Sequence, residues 1–276
     1  MATTDLHFVA GSLTPVKRGI RLLGGAVDDG VQVDAAAAAM ANVSTHGTIS
    51  AWFMVPDNTG TYCIIGAGDA NVVEFISLTV EAGTIQVACT DNTTAQWDYN
   101  TAANTVTPHK WHHVALVQDA NTPKVYLDGN EMALTETTGT TSESWFKACA
   151  GIDGMHIGAA EEGGDAALIK EFKGYISRVK IWAGTTSASA LTAAQVKEDY
   201  LGAAIGTPHN FWSLDQSLTD AGSGADNGTA VGDIIYSDAN EFSSRLTFLE
   251  TVPLTADNIS IMCDQGVGYA YSVLAA

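Results

Sequence analysis

The stretch KWHHVALVQDANTPKVYLDG, residues 110–129, decides how the fold of this chain is interpreted. It begins with a run of β-forming residues, His112–Gln118. A polar loop, DANTP, then turns the chain, and residues 124–127 return to the pair Asp128-Gly129. Two β-forming runs joined by a polar loop and followed by an Asp-Gly turn predict a β-hairpin.

This hairpin resembles the central hairpin of the laminin G-like, concanavalin A-like jelly roll family, where a Trp-x-His-Val-Ala strand precedes a Tyr-x-Asp-Gly turn. Three other regions resemble the family in the required order. They are GTISAWFMV (47–55), a strand leading into the core; MHIGA (155–159) with FKGYISRVKIW (172–182), the closing strand pair; and LTAAQVKEDYLG (191–202), a short helix. The resemblance covers residues 20–202. It implies an all-β, two-sheet antiparallel jelly roll sandwich with one short helix.

One element departs from the family's order. In the family, the first strand has the form Trp-x-Leu-Asp and is followed by Asp-x-Ser-Gly and an Asn-Gly turn. Here residues 211–233, after the helix, resemble that first strand, and residues 19–33 resemble the second. Either the sandwich is circularly permuted or a second copy begins and stops early. Permutation is favoured because few residues remain after 233 and adjacent termini make it easy. The predicted domains are a sandwich, 1–242, with an N-terminal arm, 1–18, and a C-terminal β extension, 243–276.

Local patterns add detail to this prediction. Residues 47–55 alternate so that both faces carry bulky side chains, which indicates a central strand. The Ala-rich segment 34–41 is interpreted as a turn, as in the family. Thr192 and Gln195 match a capping box at the start of the helix, and Gly202 matches a left-handed stop.

Composition limits the function. The formal net charge of -19 disfavours nucleic acid as a partner, and no apolar run reaches the roughly 18 residues of a membrane span. Cys63, Cys89, Cys149 and Cys263 form no C-x-x-C pair, and the N-terminus lacks the pattern of a secretory signal. We therefore expect a soluble protein made in a reducing cytosol, without a disulfide framework.

Catalytic and metal chemistry have weak support. Glycosidases of this superfamily carry paired carboxylates on one strand, close to Glu-x-Asp-x-Glu, and that spacing does not occur here. His112 and His113 are adjacent on a strand and face opposite sides, so they cannot chelate one ion, and they are interpreted as hydrogen-bonded core residues. The cluster Glu161, Glu162 and Asp165 is interpreted as a solvated Gly-rich loop, with a calcium contact as the alternative.

Carbohydrate binding has its own candidates. Trp97, Asp98 and Tyr99, in the predicted loop AQWDYN, and Trp145, in SESWF, combine aromatic faces that stack on sugars with a hydrogen-bonding carboxylate. The alternative is that these aromatics fold back and cover an edge of the core.

The C-terminal run GVGYAYSVL, residues 266–274, is apolar and uncharged. A strand of this kind left in solvent invites pairing with another chain. It either completes the sandwich or docks on a partner, and docking is preferred. The residues predicted to make this contact are Val267, Tyr269, Tyr271 and Val273.

Two functions remain open. The first is a non-enzymatic virion structural protein with this lectin-like fold, a bacteriophage capsid decoration or fibre subunit. It would be made in the host cytoplasm, form homo-oligomers and contact other virion proteins, with glycan binding as an additional role. The second is a carbohydrate-binding adhesin. A glycoside hydrolase ranks below both because the paired carboxylates are missing.

Overall fold

The computed structural model describes residues 18–25, 29–164 and 167–237, all within one compact unit, Arg18–Ser237. These residues form sixteen strands, two short helices and one 3-10 turn, Ser187–Ser189. The helices are α1, Asp34–Met40, and α2, Ala193–Tyr200. The strands are Ile20–Leu22 (β1), Gly30–Gln32 (β2), His46–Met54 (β3), Thr61–Gly68 (β4), Phe75–Glu81 (β5), Thr84–Asp91 (β6), Thr94–Asn100 (β7), His112–Gln118 (β8), Lys124–Leu127 (β9), Asn130–Glu131 (β10), Thr135–Gly139 (β11), Gly154–Ile157 (β12), Gly174–Gly184 (β13), Asn210–Trp212 (β14), Thr229–Val231 (β15) and Ile235–Tyr236 (β16).

The strands form two antiparallel sheets of eight. Sheet A has the order β10-β9-β8-β3-β13-β1-β16, with β14 paired to β13, and sheet B has the order β11-β7-β6-β5-β4-β12-β2-β15. The main apolar core lies between the sheets and contains inward-facing residues of both, among them Phe53, Trp97 and Trp212. The predicted all-β, two-sheet jelly roll sandwich is confirmed.

The predicted hairpin is formed by β8 and β9, which pair from Val114↔Leu127 to Val117↔Lys124. Asp128 and Gly129 then have φ angles of 50° and 73°. Positive φ at both central residues is the mark of a type I′ turn, whose twist matches that of the flanking strands. The Asp-Gly pair therefore sets the turn that leads into β10.

Strand β3 lies between β8 and β13, in the middle of sheet A. Its alternating residues Ile49, Ala51 and Phe53 belong to the main core. Trp52 and Met54 face the other way and are also buried, at 4% and 8% exposure. The prediction of a central strand is confirmed.

Helix α2 covers part of the outer face of sheet A over a second, smaller apolar cluster. The Oγ1 of Thr192 accepts a hydrogen bond from the backbone N–H of Gln195, and the Gln195 Oε1 accepts one from the N–H of Thr192. Gly202 follows the helix with a φ of 88°. The capping box and the glycine stop are confirmed. The cluster below consists of Ala115, Val117, Tyr126, Trp182, Ala190, Leu191, Val196 and Ile205.

Two local predictions were wrong. The segment interpreted as a turn forms the helix α1, with Ala36, Ala37 and Met40 buried against the sandwich. Alanine has the highest helix propensity, and its small side chain lets a helix approach closely, so propensity outweighed the family's loop. The strands predicted as a closing pair, β12 and β13, lie in opposite sheets.

The segment after α2 completes the same sandwich. Strand β14 pairs with β13, β15 pairs with β2, and β16 pairs with β1. These strands therefore add to both sheets of the sandwich, and the permuted order stays a prediction. Neither helix in the described ranges has the length and apolarity to cross a membrane.

Candidate functional site

The outer face of sheet A carries two neighbouring, partly exposed aromatic side chains, Trp111 and Tyr175. Their ring centroids are 6.1 Å apart and their planes are inclined by 52°. Tyr175 of β13 lies opposite Met54 of β3, while Trp111 directly precedes β8 on the other side of β3. The two rings therefore flank the end of the central strand.

Strand alternation explains why these rings face outward. Ile176 is fully buried in the core between the sheets, so its neighbour Tyr175 points to the opposite face. In the same way, His112 contacts the core residue Phe53, with ring centroids 5.8 Å apart. Trp111, one residue earlier, consequently lies on the outer side of the sheet.

Arg21 completes this group, and we call Trp111, Tyr175 and Arg21 the platform. In the register of β1 and β13, Arg21 lies opposite Tyr175. Its guanidinium carbon is 5.9 Å from the Tyr175 ring centroid. A cation–π contact of this kind contributes about 0.5–1 kcal/mol at an exposed site and orients the guanidinium group.

The same face continues from the platform toward α2. Trp52 stacks on Tyr200, with ring centroids 5.6 Å apart and planes inclined by 21°. The Nζ of Lys197 lies 4.9 Å from the Tyr200 ring centroid. The outer face thus carries a strip of aromatic side chains with a cation at each end.

A buried polar network fixes α2 beside this strip. Asp199 accepts a hydrogen bond from the Ser50 hydroxyl at 2.8 Å, contacts the Nε2 of His113 at 3.1 Å and is ion-paired with Lys180. Burial by itself would raise the pKa of Asp199, but the His113 hydrogen bond and the Lys180 charge outweigh it, and the pKa lies well below its usual range. Asp199 therefore stays ionised and tethers the helix to the sheet.

The chemistry of the platform suits a ligand with both an apolar face and polar edges. Aromatic rings pack against the C–H face of a sugar, while side-chain donors at the rim hydrogen-bond to its oxygens. Arg21 supplies such donors in a planar fork.

The aromatic residues predicted to stack on sugars lie elsewhere. Trp97 and Tyr99 belong to β7, not to a loop, and Trp97, Tyr99 and Trp145 have exposures of only 0%, 6% and 1%. The indole N–H of Trp97 donates to the carbonyl of Ser144 at 2.8 Å. These three rings pack in the core and present no face to a ligand. Their structure matches the alternative interpretation, in which the aromatics fold back onto the core.

Asp98 alternates with its neighbours and lies on the outer face of sheet B. Both of its carboxylate oxygens are 3.4 Å from the Gln86 side-chain nitrogen. Burial raises the pKa of Asp98. Because Asp98 and the platform lie on different sheets, the structure does not combine this carboxylate with the exposed aromatics.

The predicted metal ligands are also in a different setting. Glu161 is 5% exposed, and Glu162 forms an ion pair with Lys170 at 2.6 Å, so the interpretation as a solvated loop was wrong. The loop is held because it packs directly on β4, where a Cβ added to Gly66 would lie 2.9 Å from the Cα of Ala160.

Asp165 lies outside the described residues. In the described ranges, no group of three or more His, Cys, Asp or Glu side chains is arranged to hold a metal ion. Calcium binding therefore stays a prediction.

Two further predictions can be placed. His112 contacts Asp128 at 2.9 Å and His113 contacts Asp199 at 3.1 Å on opposite faces of β8, as predicted for two core histidines with separate partners. The predicted docking residues lie outside the described residues; they are Val267, Tyr269, Tyr271 and Val273.

The platform was missed although its residues lie in segments already identified as strands. Ile176 continues the alternation of the core positions in FKGYISRVKIW, so Tyr175 could have been placed on the outer face. Trp111 belongs to the hairpin itself. Arg21 could not be found in this way because its position opposite Tyr175 depends on the pairing of strands far apart in sequence.

Comparison with known proteins places this fold. A laminin G-type family model, described as the concanavalin A-like lectin/glucanases superfamily, matches residues 24–197, more than half of the chain. This chain belongs to that superfamily. No curated protein sequence matches it.

Several solved structures are similar. A native heptameric SAP-like pentraxin from Limulus polyphemus has a TM-score of 0.54 and 16% identity, covering 82% of this chain and 96% of its own. The CBM40 of the Ruminococcus gnavus IT-sialidase has a TM-score of 0.52 and 17% identity, covering 67% and 97%. A mutant of the NanB sialidase from Streptococcus pneumoniae has a TM-score of 0.52 and 16% identity, covering 74% and 30%. At these identities the similarity establishes the fold alone.

Proposed function

We propose that this chain is a non-enzymatic carbohydrate-binding protein that holds a sugar ring against Trp111 and Tyr175. The observation that carries the proposal is the pair of partly exposed rings 6.1 Å apart at the end of sheet A, with Arg21 beside them. Rings supported by strands are held in place before a ligand arrives, which reduces the entropy lost on binding.

The superfamily supports this assignment. It contains lectins, and the CBM40 structure with 14% identity and a TM-score of 0.52 is a complex with α2,3-sialyllactose. That ligand belongs to the other protein, and it supports only the general class, a glycan, for this chain. The proposal contains no catalytic step because the sequence lacks the strand-borne carboxylate pair of sandwich glycosidases.

The test is a glycan array probed with the full chain, with and without calcium, followed by titration calorimetry on any ligand found. Trp111→Ala and Tyr175→Ala should each weaken binding about tenfold or more, equivalent to about 1.4 kcal/mol. Phe75→Ala is the matched control because Phe75 is a partly exposed aromatic on sheet B.

Thermal unfolding of each variant confirms that it folds. The proposal would be rejected if wild type bound no glycan on the array, or if the platform variants and the control lost affinity equally. Hydrolysis of a bound glycan would reject its non-enzymatic part.

The virion role is a second proposal, and it is compatible with glycan binding. It rests on the sequence, above all on the uncharged run at residues 266–274. A truncated chain lacking residues 246–276 should lose self-association and addition to particles. If the truncated chain still forms oligomers and still joins particles, the docking role is wrong.

A further inference from the structure

The platform carries positive charge that the described carboxylates do not neutralise. Within the described residues, no salt bridge involves Arg21, Lys173 or Lys197. Arg21 and Lys197 instead lie beside the rings of Tyr175 and Tyr200. Lys173 is exposed and lies beside Gly24. A Cβ added to Gly24 would lie 3.2 Å from the Cβ of Lys173.

Two carboxylates at this face, Asp128 and Asp199, already have cationic or histidine partners. Asp128 contacts the Nδ1 of His112 at 2.9 Å and Lys110 at 3.4 Å. Asp199 is buried between Lys180 and His113. Glu131 lies on β10, at the opposite edge of sheet A from β1. Arg21, in contrast, lies directly beside the Tyr175 ring, so a ligand stacked on that ring is within reach of its guanidinium group.

The rest of the protein has the opposite character. The formal net charge is -19. On the outer face of sheet B, burial raises the pKa of Asp98, and the charges of Glu81 and Glu162 raise it further, while the Gln86 hydrogen bond and the Lys170 charge oppose the rise. At an ionic strength of about 0.15 M the Debye length is about 8 Å, so distant carboxylates are largely screened and adjacent groups decide what binds.

We propose that the platform selects a sugar that bears a carboxylate, such as a uronic acid. This inference rests on the proposed function and adds the class of ligand. The sugar ring packs on Trp111 and Tyr175, and its carboxylate accepts paired hydrogen bonds from the guanidinium group of Arg21. Arginine suits this task because its planar fork matches the two oxygens of a carboxylate, and such charge-assisted bonds are stronger than neutral ones. Lys173 adds a second charge at the same edge.

The experiment compares two forms of one polymer, oligogalacturonate and its fully methyl-esterified form. The two share sugar rings and linkages and differ in the charge of the carboxyl group. In calorimetry at low salt, the acid form should bind wild type at least about tenfold more tightly, and raising the salt concentration should reduce that preference.

Arg21→Gln should bring the two affinities to within about twofold, while Arg21→Lys, which keeps the charge without the fork, should give an intermediate preference. Lys147→Gln is the control because Lys147 is an exposed lysine in the segment after Trp145, away from the platform, and it should leave the preference unchanged.

Each outcome either supports or overturns the proposed selection of a carboxylated sugar. Equal binding of acid and ester by wild type, or a full preference in Arg21→Gln, overturns the inference. The wild-type comparison holds even if a variant fails to fold. If neither polymer binds while neutral glycans bind through Trp111, the inference fails and the proposed function stands. If no glycan of any class binds, both fail.

Discussion

Asp199 of helix α2 and Lys180 of strand β13 form an ion pair in which the two side chains are only 2% and 9% exposed. The pair joins the helix to the face of sheet A that carries the aromatic strip. Its removal should therefore affect both the stability of the protein and the position of Tyr200, which ends the same helix.

Asp199→Asn should lower the free energy of unfolding by about 3–5 kcal/mol, because it leaves Lys180 buried without its countercharge. Urea unfolding measures the change. Glu198→Gln removes a charge from the neighbouring exposed position and should change the stability by less than about 0.5 kcal/mol. Similar losses in the two variants would show that the ion pair does not hold the helix.

The same carboxylate should make stability depend on pH. The pKa of Asp199 in the folded protein lies below its unfolded value of about 3.9, so its contribution is complete above about pH 5. It is lost progressively as the pH falls from there toward the folded pKa. The stability difference between wild type and Asp199→Asn should therefore shrink between about pH 5 and pH 2.

The control for this pH experiment is Asp215→Asn. Asp215 pairs with Arg18 at 3.7 Å while both side chains are more than 40% exposed, so the pair contributes little. This variant should follow the wild-type profile. A difference for Asp199→Asn that stays constant down to pH 2 would contradict the assigned shift.

The parts of the fold predicted correctly were those encoded by short-range chemistry. The Asp128-Gly129 turn, the Thr192 capping box and the alternation in β3 each depend on residues within a few positions of one another. The position of Trp97 depends instead on β7 pairing with β6, where it lies opposite Cys89. Nothing local separates the polar sequence AQWDYN from a loop, so its aromatics were assigned to the surface.

The same distinction applies to the site. Trp111 and Tyr175 are 64 positions apart in numbering and meet because β8 and β13 both flank β3. Their residue types are ordinary for strands, and only the assembled sheet shows that both remain partly exposed. For the Ala-rich segment the opposite holds. Its local helix propensity correctly indicates the helix α1, whereas the family resemblance led to the wrong prediction of a turn.

Cys89 and Cys149 are free thiols whose sulfur atoms lie 3.4 Å apart in the core. Burial and the neighbouring thiol raise the pKa of Cys89 well above its usual value, and both thiols are fully buried, so neither should react quickly with an alkylating reagent while the protein is folded. Refolding with oxidised glutathione should instead join the pair by thiol–disulfide exchange, releasing two molecules of reduced glutathione. Closing this 60-residue loop should stabilise the fold by about 4 kcal/mol.

Mass spectrometry and thermal unfolding of the oxidised protein measure this effect, in a Cys263→Ser background so that Cys263 cannot react. Cys89→Ser serves as the control that cannot form the bond. Exclusive formation of mixed disulfides with glutathione, or an unchanged melting temperature, would show that the core cannot accommodate the link.

Gly66→Ala tests how the segment around Ala160 is held on sheet B. The added methyl group would lie 2.9 Å from the Cα and 3.0 Å from the Cβ of Ala160, so the loop must move away from β4. Overpacking of this kind lowers stability by about 1–3 kcal/mol. The amide of Cys63, which donates to the Lys170 carbonyl at 2.7 Å, should exchange faster with solvent. Ala160→Gly in the same chain removes one of the three close contacts, the third being with the Ala159 carbonyl oxygen at 3.0 Å, and should restore part of the stability. Unchanged stability and unchanged exchange at Cys63 would mean that the loop does not rest on this strand.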